Sequence, residues 1–469
     1  MIQKVIYSVL MFLLVAVSGE AQEKKNVLFI IADDLNCYLG SYGHSLAKTP
    51  NIDRLAEEGL LFENAYCNFP LCGPSRASMM TGLYPDQNNV KRNAILIRDR
   101  VPDAVTMTQV FMKSGYAATR IGKIYHYNNP GDIGTPGHDD PASWSHTINP
   151  RGRDKDEEDK IFSLVPGSFG ATLSWLAADG TDEEQTDGIA ATEAIAQIEK
   201  HAASGEPFFL GLGFYKPHTP FVAPKRYFEM YPREQIRVPE VPEGYLESLP
   251  EPAQRILTLR KPQIDLPDSL AVSAIQAYLA TISFLDAQVG RVLDALEQNG
   301  LKDNTIVVFT SDHGYHMGEH GHYQKRTLFE YSARIPLIIS YPGQKSRGKT
   351  TGSLVEMIDF YPTLCELAGL EYPEGISGKS MVPVLKNPRK KIRKDALTQT
   401  VYDGYSVITD KYRYIRWGEG GEGMVELYDL QNDPGEMNNL AAEVKYDKVM
   451  RKLDLRLTDR VKAAGKPAF

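Results

Sequence analysis

Cysteine is scarce in this sequence: Cys37, Cys67, Cys72 and Cys365 are the only four among 469 residues. That count excludes a disulfide-stapled scaffold and leaves room for a single structural bridge, for example Cys37 to Cys67. Neither the cysteines nor the ten histidines stand at the spacing of a zinc site. Surplus positive charge is lacking as well. With 52 Lys and Arg against 60 Asp and Glu the net charge is −8, which argues against general binding to nucleic acid or to an anionic membrane surface. An anionic substrate would therefore need its cations gathered in one pocket. No internal repeat or heptad pattern is present, and beyond the N-terminus no apolar run suggests a membrane span.

The first stretch differs from the rest. Lys4 is followed by an apolar run from Val5 to Val17, then by Gly19, Glu20 and Ala21. This reads as a signal peptide over residues 1–21, with an uncleaved N-terminal anchor as the alternative, and it makes the protein exported, either periplasmic or secreted. No cysteine lies near the cleavage point to take a lipid, so no membrane contact is expected after cleavage. The length is too great for one simple core, which suggests a large domain over 22–385 and a smaller one over 386–469.

Asn26 to Ala32 is apolar after its first residue, as a strand covered on both faces is, and it ends in Asp33 and Asp34. Ligands in open α/β sheets collect at the carboxyl ends of strands, so these carboxylates stand where chemistry is expected. Residues 50–59 read as a short helix with Asn51 as its N-cap and Gly59 as its stop. Ala117 to Gly122 delivers Lys123 and His126. Residues 207–214 form another buried strand that ends in Lys216, Pro217 and His218. A long helix over 272–299 precedes the strand 304–310, which ends in Ser311, Asp312 and His313, with Lys325 in the loop beyond. Residues 128–187, dense in Gly, Pro and Asp, read as long surface loops able to shape specificity. After Leu385 the pattern shortens into meander strands at 405–409, 412–417 and 426–430, and a final helix spans 446–462. The fold class is α/β, a large mainly parallel sheet between helices, with a small antiparallel sheet and a helix at the C-terminus.

The stretch from Cys72 to Gly82, Cys-Gly-Pro-Ser-Arg-Ala-Ser-Met-Met-Thr-Gly, organises the site. Pro74 suits a first helical turn and Gly82 a helix stop, which puts Cys72 at a helix start, where unpaired N–H groups favour an anion. Arg76, one turn on, adds a planar cation. The carboxylates Asp33, Asp34 and Asp312 are hard oxygen ligands, which with His313 suit Ca²⁺ or Mg²⁺ better than zinc. Arg76, Lys123, Lys325, His126 and His218 can surround a sulfate or phosphate ester.

The pattern Cys72-x-Pro-Ser-Arg76 with Met80-Thr81-Gly82 resembles the signature of the formylglycine-dependent sulfatases. The resemblance extends through Asp33-Asp34-Leu35, Pro50-Asn51-Ile52-Asp53, Gly122-Lys123 with His126, Lys216-Pro217-His218, Ser311-Asp312-His313-Gly314, Gly318-Glu319-His320-Gly321 and Lys325. It is nearest to the branch that acts on 2-O-sulfated iduronate. It implies an alkaline-phosphatase-like sandwich and a nucleophile that is the hydrate of 3-oxoalanine (formylglycine) made from Cys72 by a maturation enzyme. It also implies one Ca²⁺, with Mg²⁺ second, held by Asp33, Asp34, Cys72, Asp312 and His313. Arg76 and Lys123 would hold the hydrate and the sulfate, His126 would assist regeneration of the aldehyde, and His218 and Lys325 would contact the sulfate and assist the leaving alcohol. The substrate implied is a sulfated saccharide, with 2-O-sulfated uronic acids of glycosaminoglycans first and algal galactans or fucans as the alternative. A phosphate-ester hydrolase and a non-catalytic glycan-binding protein stay open as rival readings.

Overall fold

A computed structural model describes residues 24–418 and 422–465. The expected signal peptide lies outside the described residues. Eight strands form the main sheet: β1 (Asn26–Asp33), β2 (Leu60–Phe62), β3 (Ala117–Gly122), β4 (His146–Ile148), β5 (Phe208–Pro217), β6 (Thr305–Ser311), β7 (Leu337–Ser340) and β8 (Lys349–Thr351). Their spatial order is β8-β2-β7-β6-β1-β5-β3-β4. Only β7 runs against the others, so the sheet is mainly parallel, as expected.

Every residue of β1 is buried. The reason is that both faces of the sheet are covered. Leu28, Ile30 and Ala32 pack with α1 (Pro50–Glu58), α4 (Thr186–Ser204) and α5 (Asp268–Gln298) on one side. Val27, Phe29 and Ile31 pack with α2 (Cys72–Thr81), α3 (Met107–Lys113) and α6 (Phe360–Leu367) on the other. Each such aliphatic side chain contributes about 1.5–3 kcal/mol of burial free energy, so the strand's continuous apolar run follows from its two-sided burial.

Helix α5 is long and apolar enough by length and composition to cross a membrane, although the sequence reading found no such segment. Its apolar residues are spent on the core: Ile275, Leu279, Ile282, Leu285 and Val289 are buried in the cluster on the sheet. The C-terminal sheet has four antiparallel strands, β9 (Ala396–Thr400), β10 (Gly404–Ile408), β11 (Tyr412–Arg416) and β12 (Val425–Asp429), one more than the meander read from sequence. Helix α7 (Asp447–Ala463) packs against it through Leu453, Leu457 and Val461.

Three local expectations change. The N-cap of helix α1 lies two residues earlier than expected, at Thr49 and not Asn51, and no cap side chain bonds to its first turn. Instead Asp286 on α5 accepts from the N–H groups of Asn51 (3.0 Å) and Ile52 (2.8 Å). Residues 128–187 are not all loop: Ser174–Ala178 pairs in parallel with Phe221–Pro224 and antiparallel with Phe162–Ser163. The four cysteines are all free, so Cys37 and Cys67 form no bridge.

Candidate active site

Strands β1 and β6 are adjacent and parallel, with Ala32 opposite Ser311, so the residues that follow them emerge side by side at the carboxyl edge of the sheet. Asp34 turns the chain there at φ 64°, a left-handed conformation that Asp tolerates better than most residues. The turn is held from three sides. Asp34 N–H donates to Asp312 Oδ1 (3.1 Å), Leu35 N–H to Ser311 Oγ (3.0 Å), and Tyr278 of α5 donates to the Asp34 carbonyl (2.8 Å).

Helix α2 brings the other half. Cys72 is its first residue, Pro74 sits in its first turn, and Gly82 ends it at φ 67°. Cys72 Sγ lies 3.3 Å from His313 Nε2, 3.4 Å from Lys325 Nζ and 3.8 Å from Asp34 Oδ1. One turn on, Arg76 ties the two strand ends together: Nε donates to Asp312 Oδ2 (2.9 Å), one terminal nitrogen to Asp33 Oδ1 (3.1 Å), and the other to the carbonyls of Lys123 (2.6 Å) and Ile124 (3.1 Å). Lys123 donates to Asp33 Oδ2 at 2.5 Å, and Lys325 to Asp34 Oδ1 at 2.5 Å. His218 Nε2 is 3.6 Å from Asp34 Oδ2. The structure thus gathers Asp33, Asp34, Cys72, Arg76, Lys123, His218, Asp312, His313 and Lys325 into one buried network. His126 stands apart, with Nε2 3.4 Å from Asn128 Oδ1, and joins His218 and Lys325 in the wall of a cavity of about 500 Å³.

The electrostatics separate the carboxylates. Burial pushes all three up. At Asp33 the cations Lys123, His218, Arg76 and Lys325 outweigh burial and hold the carboxyl well below its usual range. Arg76 and His313 likewise outweigh burial at Asp312 and lower its carboxyl. At Asp34 burial wins over Lys325 and His313, and the carboxyl is raised. Burial, together with the positive charge of Lys325, pushes His218 well below its usual range, and burial with Lys123 takes His126 down to about 2. Burial also drives the Cys72 thiol well above its ordinary value, despite Lys325 and Lys123.

The donor set fits a divalent cation. Ligand atoms of Asp34, Cys72, Asp312 and His313 all lie within 4.8 Å of one another, and Asp33, Asp34 and His218 form a second such group that shares Asp34. His313 Nδ1 is 2.8 Å from the Gly314 carbonyl and His218 Nδ1 is 2.5 Å from the Thr219 carbonyl. A proton on each Nδ1, assigned from these bonds, leaves both Nε2 lone pairs facing Asp34. Asp34 Oδ2 is itself buried with no hydrogen-bond partner. Lone pairs turned on a carboxylate are what a shared cation resolves.

The comparisons with known proteins agree with this arrangement. The family described as Sulfatase matches residues 25–370, and the one described as N-sulphoglucosamine sulphohydrolase, C-terminal, matches residues 318–463. The chain belongs to the sulfatase family. It is similar to a sulfatase of Formosa agariphila, 34% identical over 90% of this chain and 84% of that protein. It is 31% identical to iduronate 2-sulfatase of Homo sapiens over 91% of this chain and 94% of the human protein. A solved structure described as a complex with its substrate D-glucosamine-2-N,6-O-disulfate superposes with TM-score 0.74 at 26% identity, covering 94% of this chain and 98% of that one. The fold is accordingly the alkaline-phosphatase-like sandwich of sulfatases, and the chain is a sulfuric ester hydrolase.

Sequence reasoning missed much of the cavity wall. Asn93, whose Oδ1 accepts from Gly73 N–H (2.9 Å), and the arginines Arg260 and Arg326 line it. So do Asn128 to Gly131 and Gly167 to Ala171, from the loops expected to shape specificity. Lys216 was singled out at the end of β5 but turns inward, to the Pro220 carbonyl (3.1 Å) and Asp154 (3.5 Å).

Proposed function

We propose that this sulfatase removes sulfate from a sulfated carbohydrate by way of a formylglycine made from Cys72, after export from the cell. A 2-O-sulfated uronic acid of a glycosaminoglycan oligosaccharide is the first substrate to test, and algal galactan or fucan oligosaccharides come second. The observation that carries the reading is the position of Cys72: the first residue of α2, buried, and within 4 Å of Asp34, His313 and Lys325. The names of the relatives support a sulfated sugar, iduronate in one case and a glucosamine disulfate in the other.

As a thiol, residue 72 is held neutral by burial and is a poor nucleophile. Oxidised by a maturation enzyme to an aldehyde, residue 72 supplies a hydroxyl nucleophile once hydrated. Asp33, Asp34, Asp312, His313 and residue 72 would hold the ion, Ca²⁺ before Mg²⁺ because three carboxylates offer more oxygen donors than Mg²⁺ usually takes from protein. Such an ion, when bound, polarises the ester oxygens and lowers the pKa of a hydroxyl.

The chain's own residues account for the rest. Arg76 and Lys123 neutralise Asp33 and Asp312 and fix the floor on which the sulfate group rests. Lys325 and His218, in the cavity wall, face the ester from the open side. A bound sulfate ester adds negative charge beside two histidines whose pKa values burial and the nearby lysines have lowered. That charge favours protonation, so His218 gains the proton that the departing sugar alkoxide needs, and His126 stays available to take a proton in the second half of the cycle.

Mass spectrometry of the peptide containing residue 72, from protein made in its native host, paired with sulfate release from a sulfated disaccharide panel, tests the reading. Conversion of the thiol to an aldehyde together with release from one sugar is expected. An unmodified thiol in active protein overturns the mechanism, and release of phosphate but not sulfate moves the chain to the phosphate-ester hydrolases.

A further inference from the structure

The protein pairs its deeply buried guanidinium groups with acids. Arg76 meets Asp33 and Asp312, Arg120 meets Asp139, Arg393 meets Asp359, and Arg413 meets Glu330 and Glu436. Two half-buried arginines in the cavity wall have no such partner. Arg260 and Arg326 stand beside His218 and Lys325, and among the described residues neither guanidinium has an ion pair or a hydrogen bond. Arg260 Nε is buried without a partner. Burial and the positive charge of Arg260 push Arg326 below its ordinary range. Two like charges stand at the edge of a cavity whose one carboxylate, Glu158, is taken by Lys155, so their mutual repulsion is relieved when an anion arrives.

The backbone shows that Arg326 is held there by construction. Its φ is 77°, a left-handed conformation that is strained for a non-glycine residue. Both of its peptide groups are pinned: its N–H donates to the Pro70 carbonyl (3.1 Å) and its carbonyl accepts from Thr400 Oγ (2.5 Å). Beyond Arg326 lies a neighbouring cavity of about 310 Å³ that shares Arg326, Ile256 and Leu259 with the first. Tyr402 and Asp403, also in left-handed backbone, line it, and the Arg255 guanidinium lies over the Tyr402 ring at 5.7 Å. Strained residues thus gather on one side of the pocket, between it and the neighbouring cavity.

We propose that Arg260 and Arg326 form a second anion subsite that takes a carboxylate or a further sulfate of the same saccharide while the scissile sulfate occupies the Cys72 centre. The substrate class is then an acidic saccharide with at least two anionic groups, and a neutral sugar with one sulfate is discriminated against. Planar guanidinium groups suit both ligands because each presents two or three oxygens in one face. The inference rests on the sulfatase reading above.

The test compares kcat and KM of the converted enzyme and of Arg260→Gln, Arg326→Gln and the double variant on two substrates: the disaccharide that the enzyme turns over fastest, and 4-nitrophenyl sulfate, which carries one anion. The double variant is expected to lose about ten- to a hundredfold in kcat/KM on the disaccharide, mainly through KM, with less than about threefold change on the aryl sulfate. Arg→Lys variants, which keep the charge, are expected to recover part of the loss. Repeating the comparison with the uronate methyl ester, or with the second sulfate removed, tells which anion binds: the analogue lacking it should be insensitive to the substitutions. Equal losses on both substrates, no loss on either, or a preferred disaccharide with no second anion would overturn the subsite. Failure of the parent reading is distinct, since enzyme with residue 72 converted would then release no sulfate even from 4-nitrophenyl sulfate.

Discussion

Lys325 Nζ stands 2.5 Å from Asp34 Oδ1 and 3.4 Å from Cys72 Sγ, so one ammonium bridges the carboxylate at the end of β1 and the thiol at the start of α2. Lys325 and Asp34 are 291 positions apart in sequence. What brings them together is the turn at Asp34, fixed by Tyr278 and Asp312, and the parallel pairing of β1 with β6. Only one oxygen of Asp34 is used by Lys325. The other faces His218 without a hydrogen bond.

Calcium should therefore stabilise the folded protein. A ligand that binds only the native state adds about 2.7 kcal/mol when present at a hundred times its Kd, which shows as a rise of several degrees in Tm. Thermal melts with Ca²⁺ and with a chelator measure it. Asp34→Asn and Asp312→Asn should abolish the difference between the two melts. A calcium-dependent shift that survives in both variants would place the ion elsewhere.

Cys72 has no exposed surface, and burial raises its thiol far above the range in which it would ionise near neutral pH. No enzyme can reach it in the folded state, so the proposed conversion to formylglycine is expected to precede folding. Folded protein carrying the thiol, incubated with the maturation enzyme, should keep its mass, while a peptide spanning residues 68–84 should be converted. Conversion of both at similar rates would contradict the burial. Cys72→Ala should lower sulfate release about a thousandfold or more with the melt little changed.

The elements that sequence made legible are those whose signals are local. The two-sided burial of β1 shows in its apolar run, the carboxylates follow the strand ends directly, and Cys72, Pro74 and Gly82 mark the limits of α2 within eleven residues. What stayed hidden depends on distant partners. The first turn of α1 is capped by Asp286, 235 positions away, and nothing near Asn51 records it. Ser174–Ala178 is a strand because Phe221–Pro224 lies beside it. Arg260 sits in a proline-rich segment and Arg326 next to a better candidate, and only the fold shows that both face one cavity with no acid paired to either.

Glu356 joins the C-terminal sheet and helix to the rest of the fold. Its carboxylate accepts from Leu397 N–H at the start of β9 (2.9 Å), from Tyr84 (2.5 Å), from Arg393 (3.3 Å) and from Arg460 of α7. Burial raises it, but Arg393 and Arg460 outweigh burial and keep it below the usual range. Glu356→Gln removes the charge and leaves two guanidinium groups short of a partner. A loss of about 3–5 kcal/mol in urea unfolding is expected. A change under about 1 kcal/mol would mean that Asp359, which also binds Arg393 (2.9 Å), suffices for the junction.

His320 makes stability depend on pH in a predictable direction. It is stacked on Phe329 at 4.1 Å, its Nδ1 bonds to Tyr245, and its Nε2 is buried without a partner. Burial, followed by the nearby His322 and Arg413, takes it down to about 3. A base whose folded pKa lies below its unfolded value near 6.5 is protonated first in the unfolded chain. Its contribution is therefore complete above pH 6.5 and is lost as the pH falls toward 3. Between pH 7 and pH 5 this single group should remove about 2 kcal/mol of unfolding free energy. Urea unfolding of the wild type and of His320→Gln at the two pH values isolates the contribution, because the other titrating groups are common to both. The wild type should lose about 2 kcal/mol more than the variant on going to pH 5. Equal losses would show that His320 accepts its proton inside the fold as readily as in water, and that its buried Nε2 has an acceptor within reach.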